Sequence, residues 1–296
     1  MTATTTLLPP SHDATAALPG GRTLGYGVYG ADDGPLVVVL DGPGSRGLGR
    51  ALAAAAEELG LTLLVPDRPG FGASTPTPGR TIPQVAGDLL RLVDTLGFER
   101  FGVVAQSGGT PYALSLSALA GERVTGLSLV GGIVPLGERK ALEDVSGPMK
   151  PVFLLARRAP WLLGPIFKSV ARKTLKDPET AARKYAGGVP PLDREVLEDP
   201  RMWAIHATTS AEAVMSPDAF VREARMLAKP WGVEPKDVGA PVELWVGERD
   251  VTHPPVMSRK LAERFGGAPV TVVPGAGTFA MISVYPDVLT HAAALG

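Results

Sequence analysis

The sequence predicts an α/β fold: a mostly parallel, doubly wound sheet into which one helical segment is inserted. Three observations predict it. Short β-branched runs alternate with Ala/Leu-rich segments of helical length. The runs are apolar throughout, as strands covered on both faces are, rather than alternating apolar with polar. The rhythm stops between about residues 135 and 235, where helical patterns broken by prolines replace it, and then resumes.

Taken in order, "GRTLGYGVYG" (21–30) suits an early hairpin strand at a sheet edge, and "PLVVVL" (35–40) a buried strand. "RGLGRALAAAAEELG" (46–60) has the length and composition of the helix that follows. "LTLLVP" (61–66), the helical spacing of "TIPQVAGDLLRLVDTLG" (81–97), and "RFGVVAQ" (100–106) continue the alternation. "GGTPYALSLSALAG" (108–121) reads as a helix and "VTGLSLVGG" (124–132) as a strand. After the insertion come "PVELWVG" (241–247), "SRKLAERFG" (258–266) and "PVTVVP" (269–274), as strand, helix and strand. The expected organisation is a loose lead-in over 1–20, a core made of 21–134 and 236–296, and a helical segment over 135–235.

Bulk properties narrow the chemistry. The 296 residues are 45% hydrophobic and 20% charged, enough chain to bury a sizeable core without covalent staples. There is no cysteine, which removes disulfides, thiolate metal sites and cysteine nucleophiles, and agrees with a reducing cytoplasm. A formal net charge of −1 provides no basic field for nucleic acid. The first twenty residues have neither a basic start nor a long apolar run, and no later segment has the apolar length of a membrane span. The expectation is a soluble cytoplasmic protein. No phosphate loop, dinucleotide fingerprint or metal-ligand spacing occurs, so no cofactor is expected.

The segment with the most chemistry is "AQSGG" (105–109), between a strand and a helix. It matches the nucleophile-elbow pattern G-x-S-x-G with Ala105 in place of the first glycine. Small residues are needed because the turn is sharp and flanking side chains would collide. Ser107 would then stand at a helix N-terminus, where the dipole favours negative charge, with the Gly108 N–H aimed at a developing oxyanion.

Four ordered segments now resemble one family. "DGPGSRG" and "DRPGFGAS" follow early strands, "AQSGGTPYAL" forms the elbow, and "VGERDVTHPP" follows a late strand. Over residues 21 to 296 the chain is similar to the α/β-hydrolases. The resemblance implies the α/β-hydrolase type of sheet, with the insertion as a helical cap over the pocket. It also implies a Ser107 nucleophile and an acid at Asp250, ahead of Glu248 in the same loop. The histidine base is expected on the loop after "PVTVV", at the position held by Thr278, 28 residues beyond Asp250. A threonine hydroxyl is no general base near neutral pH. The second oxyanion donor is expected at Gly42, at Gly44 or at neither, because Pro43 has no N–H. Asp41 suits a loop-fixing role through backbone hydrogen bonds.

Four histidines remain as substitutes. His12 falls in the lead-in, and His291 in the terminal helix is expected to face solvent. His206 lies in the insertion, where it would overhang the pocket. His253 is three residues past Asp250 and near the expected site, where the ordinary role is to cap a helix start or pack on Pro254 and Pro255. On this reading nothing clearly deprotonates Ser107. The expected function is hydrolysis of a small, apolar, ester-like substrate, inactive or altered because Thr278 stands where the base belongs. A non-catalytic small-molecule-binding pseudoenzyme and a non-hydrolytic lyase or cyclase are the alternatives. Apolar residues of the insertion such as Phe153, Leu154, Trp161, Phe167 and Trp203 suit a pocket roof or ordinary core. Its Arg157, Arg158, Lys168, Arg172 and Lys173 suit solvated helix faces, or a site attracting anionic or lipid-like substrates.

Overall fold

The computed structural model describes residues 12–138, 140–143, 145–146 and 149–295. The core strands are β1 (His12–Leu18), β2 (Arg22–Gly30), β3 (Leu36–Leu40), β4 (Thr62–Pro66), β5 (Phe101–Gln106), β6 (Val124–Val130), β7 (Val242–Gly247) and β8 (Val270–Val273). They form one sheet in the order β1-β2-β4-β3-β5-β6-β7-β8. The β1–β2 and β2–β4 pairs are antiparallel, and every pair from β4 through β8 is parallel. The helices packing on it are α1 (Gly47–Glu58), α2 (Ile82–Thr95), α3 (Thr110–Ala120), α10 (Pro255–Arg264) and α11 (Tyr285–Ala293).

Strand pleating divides the core in two. Val38 and Leu40 face α2, α3 and α10 on one side, while Val37 and Val39 face α1 and α11 on the other. This is why β3 and β4 are buried at every position and why they read as unbroken apolar runs. The doubly wound sheet expected from the sequence is therefore the architecture found.

One expectation is corrected. The described part of the lead-in is not loose: His12–Leu18 is an edge strand paired along its length with β2. Its alternation is weak but real, since Ala14, Ala16 and Leu18 pack on the core while Asp13 lies outward. Consequently the strand at 22–30 is flanked on both sides. Residues 1–11 lie outside the described residues.

Between β6 and β7 the chain forms α4 (Met149–Arg158), α5 (Pro160–Lys176), α6 (Pro178–Ala186), α7 (Pro191–Val196), α8 (Pro200–Met215) and α9 (Pro217–Leu227). Five of the prolines that interrupt the pattern in sequence are helix starts, since α5 to α9 each begin on one, while Pro165 lies inside α5. A first-turn proline loses no hydrogen bond, and its fixed φ suits the helix. Asp177 and Asp199 cap α6 and α8 by accepting backbone N–H groups. The insertion has its own small core, in which Phe167 and Phe220 stack with ring centroids 3.9 Å apart.

Candidate active site

The loops that leave β3, β5, β7 and β8 gather beyond the carboxyl ends of the parallel strands, where ligands bind in open α/β sheets. Ser107 follows β5 directly and has φ +50°, in the left-handed region that a residue with a Cβ rarely adopts. The strain is held by its surroundings. A Cβ on Gly109 would overlap the carbonyl oxygen of Leu40, so only glycine lets the turn close on β3. The Thr110 hydroxyl donates to the Ser107 carbonyl at 2.7 Å and accepts from the Ile133 N–H at 3.2 Å, tying the turn to the loop after β6.

Asp250 ends the short turn after β7. Its Oδ1 accepts the backbone N–H groups of Thr252 and His253, each at 2.8 Å, and this folds the chain back on itself. The imidazole of His253 is thereby returned to the carboxylate, with Nδ1 3.2 Å from Asp250 Oδ2. Its Nε2 lies 2.8 Å from Ser107 Oγ. With the carboxylate ionised, Nδ1 carries the proton and donates to Oδ2, so Nε2 accepts from the serine hydroxyl. Room for the ring comes from the loop after β6. A Cβ on Gly131, which has φ +55°, would sit 3.2 Å from the Cβ, Cγ and Nδ1 of His253.

Burial alone would push the Asp250 carboxyl up. The facing imidazole, the backbone donors and the Thr278 hydroxyl together hold it down, at about 2. Thr278 Oγ1 donates to Asp250 Oδ2 at 2.9 Å. The loop after β8 thus reaches Asp250, but brings it a hydrogen-bond donor and no imidazole.

On the sequence no histidine clearly meets Ser107, whereas in the structure His253 Nε2 stands at hydrogen-bond distance from its Oγ. Asp250 and His253 are three residues apart, a spacing that reads as too local for an orienting pair. The Asx-type turn made by Asp250 itself removes the objection. The usable signal was Asp-x-x-His in the loop after a strand, together with the glycine pair Gly131–Gly132 after β6.

The other histidines are elsewhere. His206 Nε2 is 3.2 Å from the Ala182 carbonyl, and its ring packs among Trp203, Tyr185 and Phe279. His291 does not face solvent as expected. It is half-buried against Trp245, with Nδ1 2.9 Å from Ser128 Oγ, because α11 lies across the sheet rather than beyond it. His12 is on the edge strand β1.

On the oxyanion side Gly42 is corrected as well. Its N–H donates to Asp41 Oδ1 at 2.6 Å and is committed there. Asp41 also accepts from Ser45 Oγ at 2.8 Å and from the Leu48 N–H at 2.9 Å, the loop-fixing role expected of it. Burial pushes its carboxyl up against these donors. Arg68 holds the same loop by donating to the carbonyls of Asp41 and Gly42 at 2.7 and 2.8 Å. Gly108 is the middle residue of the 3-10 turn Ser107–Gly109, and its Cβ position is bounded by Pro43 and by Leu227 of α9.

Two buried carboxylates of the insertion fasten it to these loops. Asp193 of α7 accepts the N–H groups of Gly277, Phe279 and Ala280 at 2.8, 3.0 and 3.0 Å, fixing the loop that carries Thr278. Glu223 of α9 accepts from Arg80 at 2.6 Å and from the Tyr112 hydroxyl at 2.9 Å, with Arg68 Nε at 3.4 Å. A cavity of about 860 Å³ opens between α5, α6 and the loops after β7 and β8. Val170, Tyr185, Asp250, Thr278 and Phe279 line it. Neither Ser107 nor His253 does, so the cavity approaches the trio from its carboxylate side.

Known proteins share this frame. The family model described as alpha/beta hydrolase fold matches residues 35–283. An uncharacterized hydrolase of Bacillus subtilis is 29% identical over 113 residues, a stretch that spans 38% of this chain and 39% of that protein. Among solved structures, an alpha/beta hydrolase fold protein from Nakamurella multipartita superposes with TM-score 0.72 at 22% identity, over 96% of this chain and all of that one. An esterase from Exiguobacterium antarcticum gives TM-score 0.71 at 17% identity, over 96% of this chain and 100% of its own. With the family model running from β3 through the loop that carries Thr278, and the same fold in these structures, the chain belongs to the alpha/beta hydrolase fold family.

Proposed function

We propose that this chain hydrolyses small carboxylic esters through Ser107, with His253 as general base and Asp250 orienting the imidazole. The observation that carries the reading is the 2.8 Å approach of His253 Nε2 to Ser107 Oγ, with Nδ1 on a buried carboxylate. Ser107 Oγ attacks the ester carbonyl carbon as its proton passes to Nε2. The tetrahedral intermediate then expels the alcohol, which takes that proton from the imidazolium. Water, deprotonated by the same nitrogen, attacks the acyl-enzyme, and the carboxylic acid leaves as Ser107 recovers its proton. The Gly108 N–H and the positive end of α3 stabilise the oxyanion. Thr278 is a positioning residue, since it touches the acid and not the reacting atoms.

The substrate is small and largely apolar, in keeping with the walls that Val170, Val189 and Phe279 give the cavity. Esterases occur among the structural neighbours, which agrees with ester hydrolysis. A ligand-binding scaffold without turnover is the second reading. It is favoured by the oxyanion side, where the Gly42 N–H is committed to Asp41 and Pro43 has none to offer.

The test is hydrolysis of short p-nitrophenyl esters by the unaltered chain and by Ser107→Ala, His253→Ala and Thr278→His. Turnover falls by up to about a millionfold in each of the first two variants, and Thr278→His gives no gain. If His253→Ala retains the activity of the parent, or Thr278→His raises it by orders of magnitude, His253 is not the base. Background rates in every folded protein, with an apolar ligand still bound, favour the scaffold reading.

A further inference from the structure

The insertion carries a charge asymmetry that the chemistry at Ser107 does not use. Residues 149–176, which form α4 and α5, contain seven Lys and Arg and no Asp or Glu, in a chain whose formal net charge is −1. One of these cations, Lys168, pairs with Asp218 at 3.0 Å. Arg158, Arg172, Lys173 and Lys176 make no ion pair among the described residues, and all four are exposed.

The same helix exposes apolar surface. Leu163, Phe167 and Ala171 of α5 are buried in the core of the insertion. Beside that face runs a second stripe at intervals of four residues: Leu162, Ile166 and Val170 are 44%, 45% and 44% exposed. Trp161, at the start of α5, is 68% exposed. Three features thus lie on α5 and the last residue of α4: an uncovered aliphatic stripe, a tryptophan and a border of cations without ion pairs. An amphipathic helix that lies in the headgroup region of a bilayer needs this set.

We propose that the outward face of α5 docks the protein on an anionic membrane surface. The stripe would enter the headgroup boundary while Arg158, Arg172, Lys173 and Lys176 meet the lipid charge. Charge selects this occupant over a second copy of the chain, which would bring like charges face to face. The stripe also leads inward, because Val170 and Lys173 line the cavity that ends at Asp250 and Thr278. Docking would set the cavity mouth against the lipid. The attachment is peripheral: no helix among the described residues is long and apolar enough to cross a membrane. It needs no covalent step, so it stands or falls apart from the reading of Ser107.

Cosedimentation with vesicles of phosphatidylcholine, and of phosphatidylcholine mixed with phosphatidylglycerol, tests this. The full chain pellets with the mixed vesicles at low ionic strength, and this binding weakens as salt is raised. The double variant Arg172→Glu, Lys176→Glu and the single variant Trp161→Ala each reduce binding at least about tenfold, with unchanged thermal melts. Ser107→Ala binds as the parent does. Equal pelleting with both vesicle types, or binding that neither variant reduces, overturns the proposal. So does a concentration-dependent dimer, seen by light scattering, that Trp161→Ala dissolves, since that makes a second copy the occupant.

Discussion

Asp250 receives four donors: two backbone N–H groups, the His253 ring and the Thr278 hydroxyl. Removing one of them separates positioning from chemistry. Thr278→Val keeps the shape of the side chain and leaves Oδ2 to the imidazole alone. We expect kcat to fall roughly tenfold with KM nearly unchanged, because the lost bond orients the acid and does not touch substrate. Steady-state kinetics on a p-nitrophenyl ester check it, and a change confined to KM would place the hydroxyl in substrate binding instead. The strained strand-to-helix turn at Ser107 was legible from its five-residue context. Its partner was not, because the turn that brings His253 back over Asp250 is made by side-chain hydrogen bonds, which leave no periodic pattern in the sequence.

At the scale of elements, helix α9 and the loop after β3 act as one unit. Glu223 is fully buried, Arg68 and Arg80 surround it, and Arg68 extends to the carbonyls of Asp41 and Gly42. Neutralising the carboxylate leaves two buried guanidinium groups without their counter-charge. Glu223→Gln should therefore cost about 3 kcal/mol, read as a lower urea midpoint at constant slope. An unchanged midpoint would mean that water already compensates the cations. The buried partner of Arg68 lies 155 residues away (223 − 68), and no local pattern in "DRPGFGAS" announces it. The helices themselves were easier to see. Five of the prolines that interrupt the insertion mark helix starts, since a first-turn proline costs no hydrogen bond.

For the whole molecule, pH acts through groups that folding removes from water. Burial lowers the pKa of both His206 and His291 from the ordinary value. The unfolded chain binds these protons more readily, so stability is complete above about pH 6.5 and declines as pH falls below it. Asp250, held at about 2, adds a second loss between about pH 4 and pH 2, because its charged form is the one the fold stabilises. Thermal melts from pH 8 down should show a plateau, a first decline below neutrality and a steeper one in acid. His291→Gln should flatten the first decline, and a decline identical in that variant would remove His291 from the account.

By itself the sequence determined the sheet and its two-sided covering. Unbroken apolar runs such as "PLVVVL" have no stable place except between two layers of helices, and Ala105, Gly108 and Gly109 around the serine of "AQSGG" mark a strained turn. It also placed Asp250 in the loop that follows a strand. What only the tertiary structure decided was which histidine meets Ser107, which N–H remains for an oxyanion, and how the insertion is fastened. Each of these depends on side chains brought together from separate strand ends, or from a turn whose course a carboxylate dictates. Sequence spacing measures distance along the chain, and in these loops that is a poor guide to distance in space.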